Sequence, residues 1–156
     1  MEQMKIRKAQ AEEASDLTQI AHDAKRFWGY PESWIKHWQA DLTISPELIA
    51  KTDVYVAEGD NCLLGFYALV QTGAQLELEH LWVRPEHIGT GVGKELFIHA
   101  MQLAAEQHFK QVNISADPNA AGFYEKMGAI KVGEARSEIE DKPRTLPRLR
   151  IDPNRT

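Results

Sequence analysis

Three of the chain's ten glycines stand at alternate positions in Gly89-Thr90-Gly91-Val92-Gly93, just ahead of Lys94 and a long helical stretch. Glycines spaced in this way let the backbone turn tightly and aim consecutive N–H groups at one point, and a helix N-terminus adds partial positive charge. The result is a cradle for an anion, with phosphate or pyrophosphate as the expected occupant. Two familiar phosphate loops do not fit. A Walker A loop ending at Gly93-Lys94 would need glycine at Ile88 and Ser or Thr at Glu95. The dinucleotide fingerprint would need a further glycine where the chain has Lys94 or Leu96. A plain strand-to-helix turn that binds nothing is the competing reading, and it accounts less well for three alternating glycines. The six histidines show neither HxxxH nor HExxH spacing, so no metal site is expected.

The elements that must hold this loop follow from periodicity. Lys5-Ile6-Arg7-Lys8 reads as a first strand, and Leu17, Ile20, Ala21 and Ala24 place a helix over about residues 11–26. Phe27-Trp28-Gly29-Tyr30-Pro31 breaks it, and Trp34, Ile35, Trp38 and Leu42 restore a helical stripe. Ser45-Pro46 reads as an N-cap followed by proline at the first helical position. From Asp53 the period becomes that of strands: a hairpin turning at Glu58-Gly59-Asp60-Asn61, then a third strand from Leu76 to Val83. A helix from Lys94 to His108 leads to a strand at Val112–Ser115. Asp117-Pro118 caps a further helix that ends at Gly128, and strands follow near Ile130–Val132 and Leu146–Ile151. The long helix links two strands that should be parallel neighbours, so the sheet is mixed. Lys142, Arg144, Arg148 and Arg150, broken by Pro143 and Pro147, read as a loop and a strand face.

The 156 residues suit one domain spanning 1–156, able to fold without disulfides or structural metal. With 43% hydrophobic and 26% charged residues the composition is that of a globular chain. The longest apolar runs are too short to span a bilayer, and Met1-Glu2-Gln3-Met4-Lys5 passes into a strand without a leader. A single cysteine, Cys62, excludes an internal disulfide and points to a reducing, cytoplasmic setting. A formal net charge of −5 argues against nucleic acid as a partner and fits a cationic small molecule.

The run Leu81-x-Val83-x-Pro85-Glu86 followed by Gly89-x-Gly91-x-Gly93 resembles the acyl-CoA-binding motif of the GNAT superfamily of N-acetyltransferases. The stretch Asn119-Ala120-Ala121-Gly122-Phe123-Tyr124-Glu125-Lys126-Met127-Gly128-Ala129 is similar to that family's second signature. The resemblance implies an α/β fold with a mixed, mostly antiparallel sheet of six to seven strands flanked by helices, and a splayed parallel pair that binds acyl-CoA. One position departs: the family usually has Arg or Gln where this chain has Ile88. A side-chain contact to pyrophosphate is then missing or comes from His87, Thr90 or Lys94.

The implied activity is acetyl transfer from acetyl-CoA to the amine of a small molecule by direct attack. The alternative is an acyl-CoA-binding sensor of the same fold without turnover. Cofactor contacts are expected from Leu81, Trp82 and Val83, from Ile88, Gly89, Thr90, Gly91, Val92, Gly93 and Lys94, and from Asn119 and Phe123. Leu76 and Leu78 followed by Leu81 and Val83 change parity, as a bulge near Glu79-His80 would require, although Trp82 keeps the old parity. An alkylammonium must lose a proton before it attacks, which makes Glu79 the first candidate base and His80 the second. By the resemblance, Tyr124 protonates the departing sulfur. Trp28 and Tyr30 are the acceptor-site candidates, Trp34 and Trp38 reading as core. No metal, membrane or nucleic acid is called for, and a homodimer stays open.

Overall fold

The computed structural model describes residues 4–155. Met1–Gln3, over which the absence of a leader was expected, lie outside the described residues. Seven strands form one sheet in the order β1-β2-β3-β4-β5-β7-β6: β1 Lys5–Lys8, β2 Asp53–Gly59, β3 Cys62–Thr72, β4 Gln75–Val83, β5 Val112–Ser115, β6 Ile130–Ile139 and β7 Lys142–Ile151. All neighbours run antiparallel except β4 and β5. The mixed, mostly antiparallel sheet of six to seven strands is therefore borne out, with its single parallel pair at the expected place.

Helices cover both faces. On one face lie α1 Ala14–Phe27, α2 Glu32–His37, α3 Gln39–Leu42 and α4 Pro46–Lys51, which bury Leu17, Ile20 and Ile35 against Val54, Val56 and Phe66. On the other, α5 Val92–Glu106 and α6 Ala121–Lys126 cover Leu69, Leu76, Val112 and Leu149, with Leu96, Phe97 and Met101 fully buried. Strand β3 is central and buried on both sides from Leu64 to Leu69, which is why its sequence is an unbroken apolar run instead of an alternation. Ser45 caps α4 as expected, its Oγ accepting from the Leu48 amide at 3.0 Å. No described helix is long and apolar enough to cross a membrane.

Two expectations change. Residues 133–145, which lie between the two expected strands, belong to a continuous hairpin in which β6 and β7 meet at Glu140 and Asp141, both at positive φ (50° and 61°), as a two-residue hairpin turn requires. The prolines and the charged run masked the strand period. Asp117 is not the N-cap of α6; its main-chain carbonyl accepts from Ala120 and Ala121, and its carboxylate accepts from the Asn119 amide ahead of the helix at 2.8 Å.

Candidate active site

Strands β4 and β5 pair only at Leu76–Val112 and Glu77–Asn113. Past those two pairs they part, and a cavity of about 460 Å³ opens. Leu78, Glu79, Leu81, Trp82 and Val83 of β4 line one side and Ser115, Ala116 and Asp117 the other. The parting goes with a break in the β3–β4 ladder. Ala68 pairs with His80 and Leu69 with Leu78, so Glu79 is an extra residue, the bulge that the parity change foretold. Across the bulge Leu81 packs on the α5 side and Trp82 on the α1 side, which reconciles the two parities.

At one end of the cavity Gly91 is the N-cap of α5 at φ 95°, a left-handed conformation that disfavours any side chain. The first amide to rejoin the backbone ladder is Glu95, which donates to Gly91 O at 3.0 Å. Among the described residues the amides of Gly91, Val92, Gly93 and Lys94 have no protein acceptor, as expected of a helix's first turn. A Cβ built on Gly89 or Gly91 would meet nothing within 4 Å, so the approach to these amides is open. Gly89, Gly91, Gly93, Lys94, His87 and the 40% exposed Ile88 line the cavity. The side chains of Thr90 and Val92 do not: the Thr90 hydroxyl is spent on His87 O, and Val92 is in the core.

At the other end Glu79 lines the cavity with no hydrogen bond or ion pair to any described residue. Burial, then Glu77, raises its pKa above the usual carboxylate range. Glu77 itself is engaged by Arg148 at 2.9 Å. His80 is placed differently from the expectation. It does not line the cavity, its ring leans on Phe66, and its Nδ1 accepts from Trp82 Nε1 at 3.0 Å. Burial pushes its pKa down to about 4, with Asp41 acting weakly the other way, so at neutral pH it is an uncharged support for Trp82. Tyr124 is buried among Phe97 and Phe123, yet lines the cavity, and its hydroxyl has no protein partner among the described residues. Burial, then Asp117, raises its pKa, so the phenol keeps its proton.

Of the acceptor candidates, Trp28 lines the cavity and is 38% exposed, whereas Tyr30 does not line it. Tyr30 stacks with Trp34 and meets Trp38 edge-on, and its hydroxyl is tied to Asp117 at 3.0 Å. The sequence reading missed Lys25 and Asp117, which line the cavity and pair at 2.6 Å with side chains only 11% and 8% exposed. It also missed Arg144, whose Nη2 donates to the Tyr30 hydroxyl at 2.7 Å. A signal for Lys25 was there: it lies four residues after Ala21, on the apolar stripe of α1, where a cation needs a partner. Asn119, in the same network, and Phe123 both line the cavity. Among the described residues no cluster of His, Cys, Asp and Glu could hold a metal ion.

The family model for the acetyltransferase (GNAT) domain matches residues 12–140. The chain belongs to the GNAT acetyltransferase family. This acetyltransferase is 25% identical over 138 residues to the thialysine N-epsilon-acetyltransferase of Sus scrofa, covering 81% of this chain and 75% of the porcine protein. Its fold is like that of a GCN5-related N-acetyltransferase from Rhodopseudomonas palustris, with TM-score 0.79, 18% identity and 95% and 94% of the two chains covered. It is also like the PaiA N-acetyltransferase of Thermoplasma acidophilum in complex with coenzyme A, with TM-score 0.76, 20% identity and 96% and 99% covered. The family assignment makes the chain an N-acetyltransferase and makes the parted β4–β5 pair the place to look for its cofactor.

Proposed function

We propose that this acetyltransferase binds acetyl-CoA between β4 and β5 and transfers the acetyl group to the primary amine of a small molecule by direct attack. The observation that carries the reading is one cavity with four helix-terminal amides at its glycine loop and a carboxylate and a phenol lining it, all without partners among the described residues. The amides of Gly91 to Lys94, with the Lys94 side chain, suit a pyrophosphate, and nothing stands in front of Gly89 or Gly91 to keep it away. The exposed edge of β4 at Leu81 and Val83 suits the pantetheine amides, which can pair with it as a short strand would. The CoA-bound Thermoplasma neighbour and the porcine relative, named for an amine acceptor, support the same assignment.

Each residue then has a task that its surroundings favour. The Glu79 carboxylate, with its basicity increased by burial, takes the proton that an alkylammonium must lose before its nitrogen can attack the acetyl carbonyl. The Tyr124 phenol gives its proton to the sulfur as the thioester bond breaks. Leu81, Trp82, Val83 and Phe123 keep bulk water from the reacting centre.

Thermal unfolding with acetyl-CoA, CoA and ATP, joined to CoA release over a panel of amines, tests the reading. A ligand at 100 times its Kd adds about 2.7 kcal/mol to stability, so acetyl-CoA and CoA should both raise Tm clearly. Stabilisation by ATP alone, or stabilisation by acetyl-CoA with no CoA release from any amine, would overturn it.

A further inference from the structure

The Lys25 cluster limits what an acceptor can look like. The Asp117 carboxylate is saturated: it receives Lys25 Nζ at 2.6 Å, the Tyr30 hydroxyl at 3.0 Å, and the Asn119 amide and Nδ2 at 2.8 and 3.0 Å, with Arg144 Nη2 at 3.6 Å. The Tyr30 hydroxyl is equally occupied, taking Arg144 and Asn119 Nδ2 as donors at 2.7 and 3.0 Å. Neither group has capacity left for a substrate ammonium. The aromatic box is full as well. Lys25 Nζ lies 4.1 Å from the Trp38 ring centroid and 5.0 Å from that of Tyr30, while the Arg144 guanidinium lies 4.9 and 5.1 Å from the same two rings. The faces of these two rings are taken by the protein's own cations.

Donors are what this corner still has to offer. An ammonium has three N–H groups, and Lys25 spends one on Asp117 while lining the cavity. Two cations, Lys25 and Arg144, share one carboxylate in direct contact; Asp41 acts on Lys25 only through space, with no ion pair between them. Burial, as the largest influence, pushes the Lys25 pKa down in spite of Asp117. Elsewhere in the cavity the Glu79 carboxylate is an acceptor with no partner among the described residues. A complementary ligand brings an amine for Glu79 and an anionic oxygen for Lys25.

We propose that the acceptor is an amine that also carries a carboxylate, held by Lys25 with Arg144 behind it, and that polyamines are poor acceptors. The proposal rests on the acetyl-transfer reading above and narrows it. A second ammonium, as in a polyamine, would face the buried Lys25, with half-buried Arg144 beside it; a carboxylate gains a charge-assisted hydrogen bond there.

The test compares kcat/KM for amino acids, their amides and the corresponding decarboxylated amines, with acetyl-CoA saturating. The acid in the best matched set should exceed its amide by about tenfold or more, the size expected for a hydrogen bond to a charged group. Lys25→Met should shrink that ratio toward one, through the acceptor KM, and Lys25→Arg should keep much of it. An amide or a polyamine turned over as well as the acid would overturn the proposal, as would a Lys25→Met enzyme that slows every acceptor in equal proportion. Should Lys25→Met fail to fold, the wild-type comparison and Arg144→Gln, expected to lower the same ratio, decide the matter. No Tm shift with acetyl-CoA and no turnover of any amine would remove the acetyl-transfer reading itself. Acetyl-CoA binding with turnover but no preference for acids would remove only the present proposal.

Discussion

Burial raises the pKa of both Glu79 and Tyr124, with opposite consequences for a proton. The carboxylate becomes a stronger base, and the phenol stays a donor throughout the working range. The sign for Glu79 is fixed by which form acts. The deprotonated carboxylate is the base, so the acidic limb of kcat/KM should lie above the ordinary glutamate value of about 4.3 and activity should fall as pH drops through it. Glu79→Gln should erase that limb and lose most at neutral pH, less at high pH where more amine is already free; a pH-independent loss in the rate profile would assign Glu79 to positioning. Tyr124→Phe should lower kcat by about 10²-fold with the KM for acetyl-CoA nearly unchanged, and steady-state kinetics showing full kcat would give the proton to water. Residue types in a motif were legible here, since Glu79 and Tyr124 could be named from spacing and resemblance. Lys25, Asp117 and Arg144 could not be named as a cluster, because they come from α1, the β5–α6 turn and β7 and meet only once those elements pack. His80 shows the converse: adjacency to Glu79 in sequence put it forward, and in the structure its ring packs on Phe66 and does not line the cavity.

Among the elements, β4 does most to make the site, and Gly65 of β3 lets it do so. A Cβ on Gly65 would stand 2.5 Å from the Trp82 carbonyl oxygen and 3.2 Å from Val83 Cα, both backbone atoms of the cavity wall. Gly65→Ala should therefore cost about 1–3 kcal/mol in urea unfolding and weaken acetyl-CoA binding with it, because relief of the clash moves the β4 edge. An unchanged Kd in a destabilised variant would separate the two effects and place the β4 edge outside the binding site. Element type and order were largely readable: the apolar stripe of α5, the alternation in β5 and the parity change in β4 are local patterns. The β6–β7 hairpin was half hidden, since its outer half, paired with no strand but its own partner, has little apolar face to alternate.

For the molecule as a whole, the sheet puts sequence-distant groups around one opening without closing it. Helices α1 and α5, on opposite faces, both reach the cavity from their ends: α1 through Lys25 and Trp28 at its C-terminal end, α5 through its N-terminal amides. The chain carries a net charge of −5, yet the glycine loop gathers Lys94, His87 and a helix N-terminus, a local field suited to an anion on an acidic protein. Everything proposed about catalysis and the acceptor depends on that loop holding the cofactor's pyrophosphate. Calorimetric titration of acetyl-CoA into the wild-type protein and into Gly91→Asp, each shown to be folded by its circular dichroism, tests it most directly. One equivalent should bind to the wild type and none measurably to the variant, because the carboxylate blocks and repels the phosphates; equal affinity in the two proteins, or no binding to either, would contradict the account.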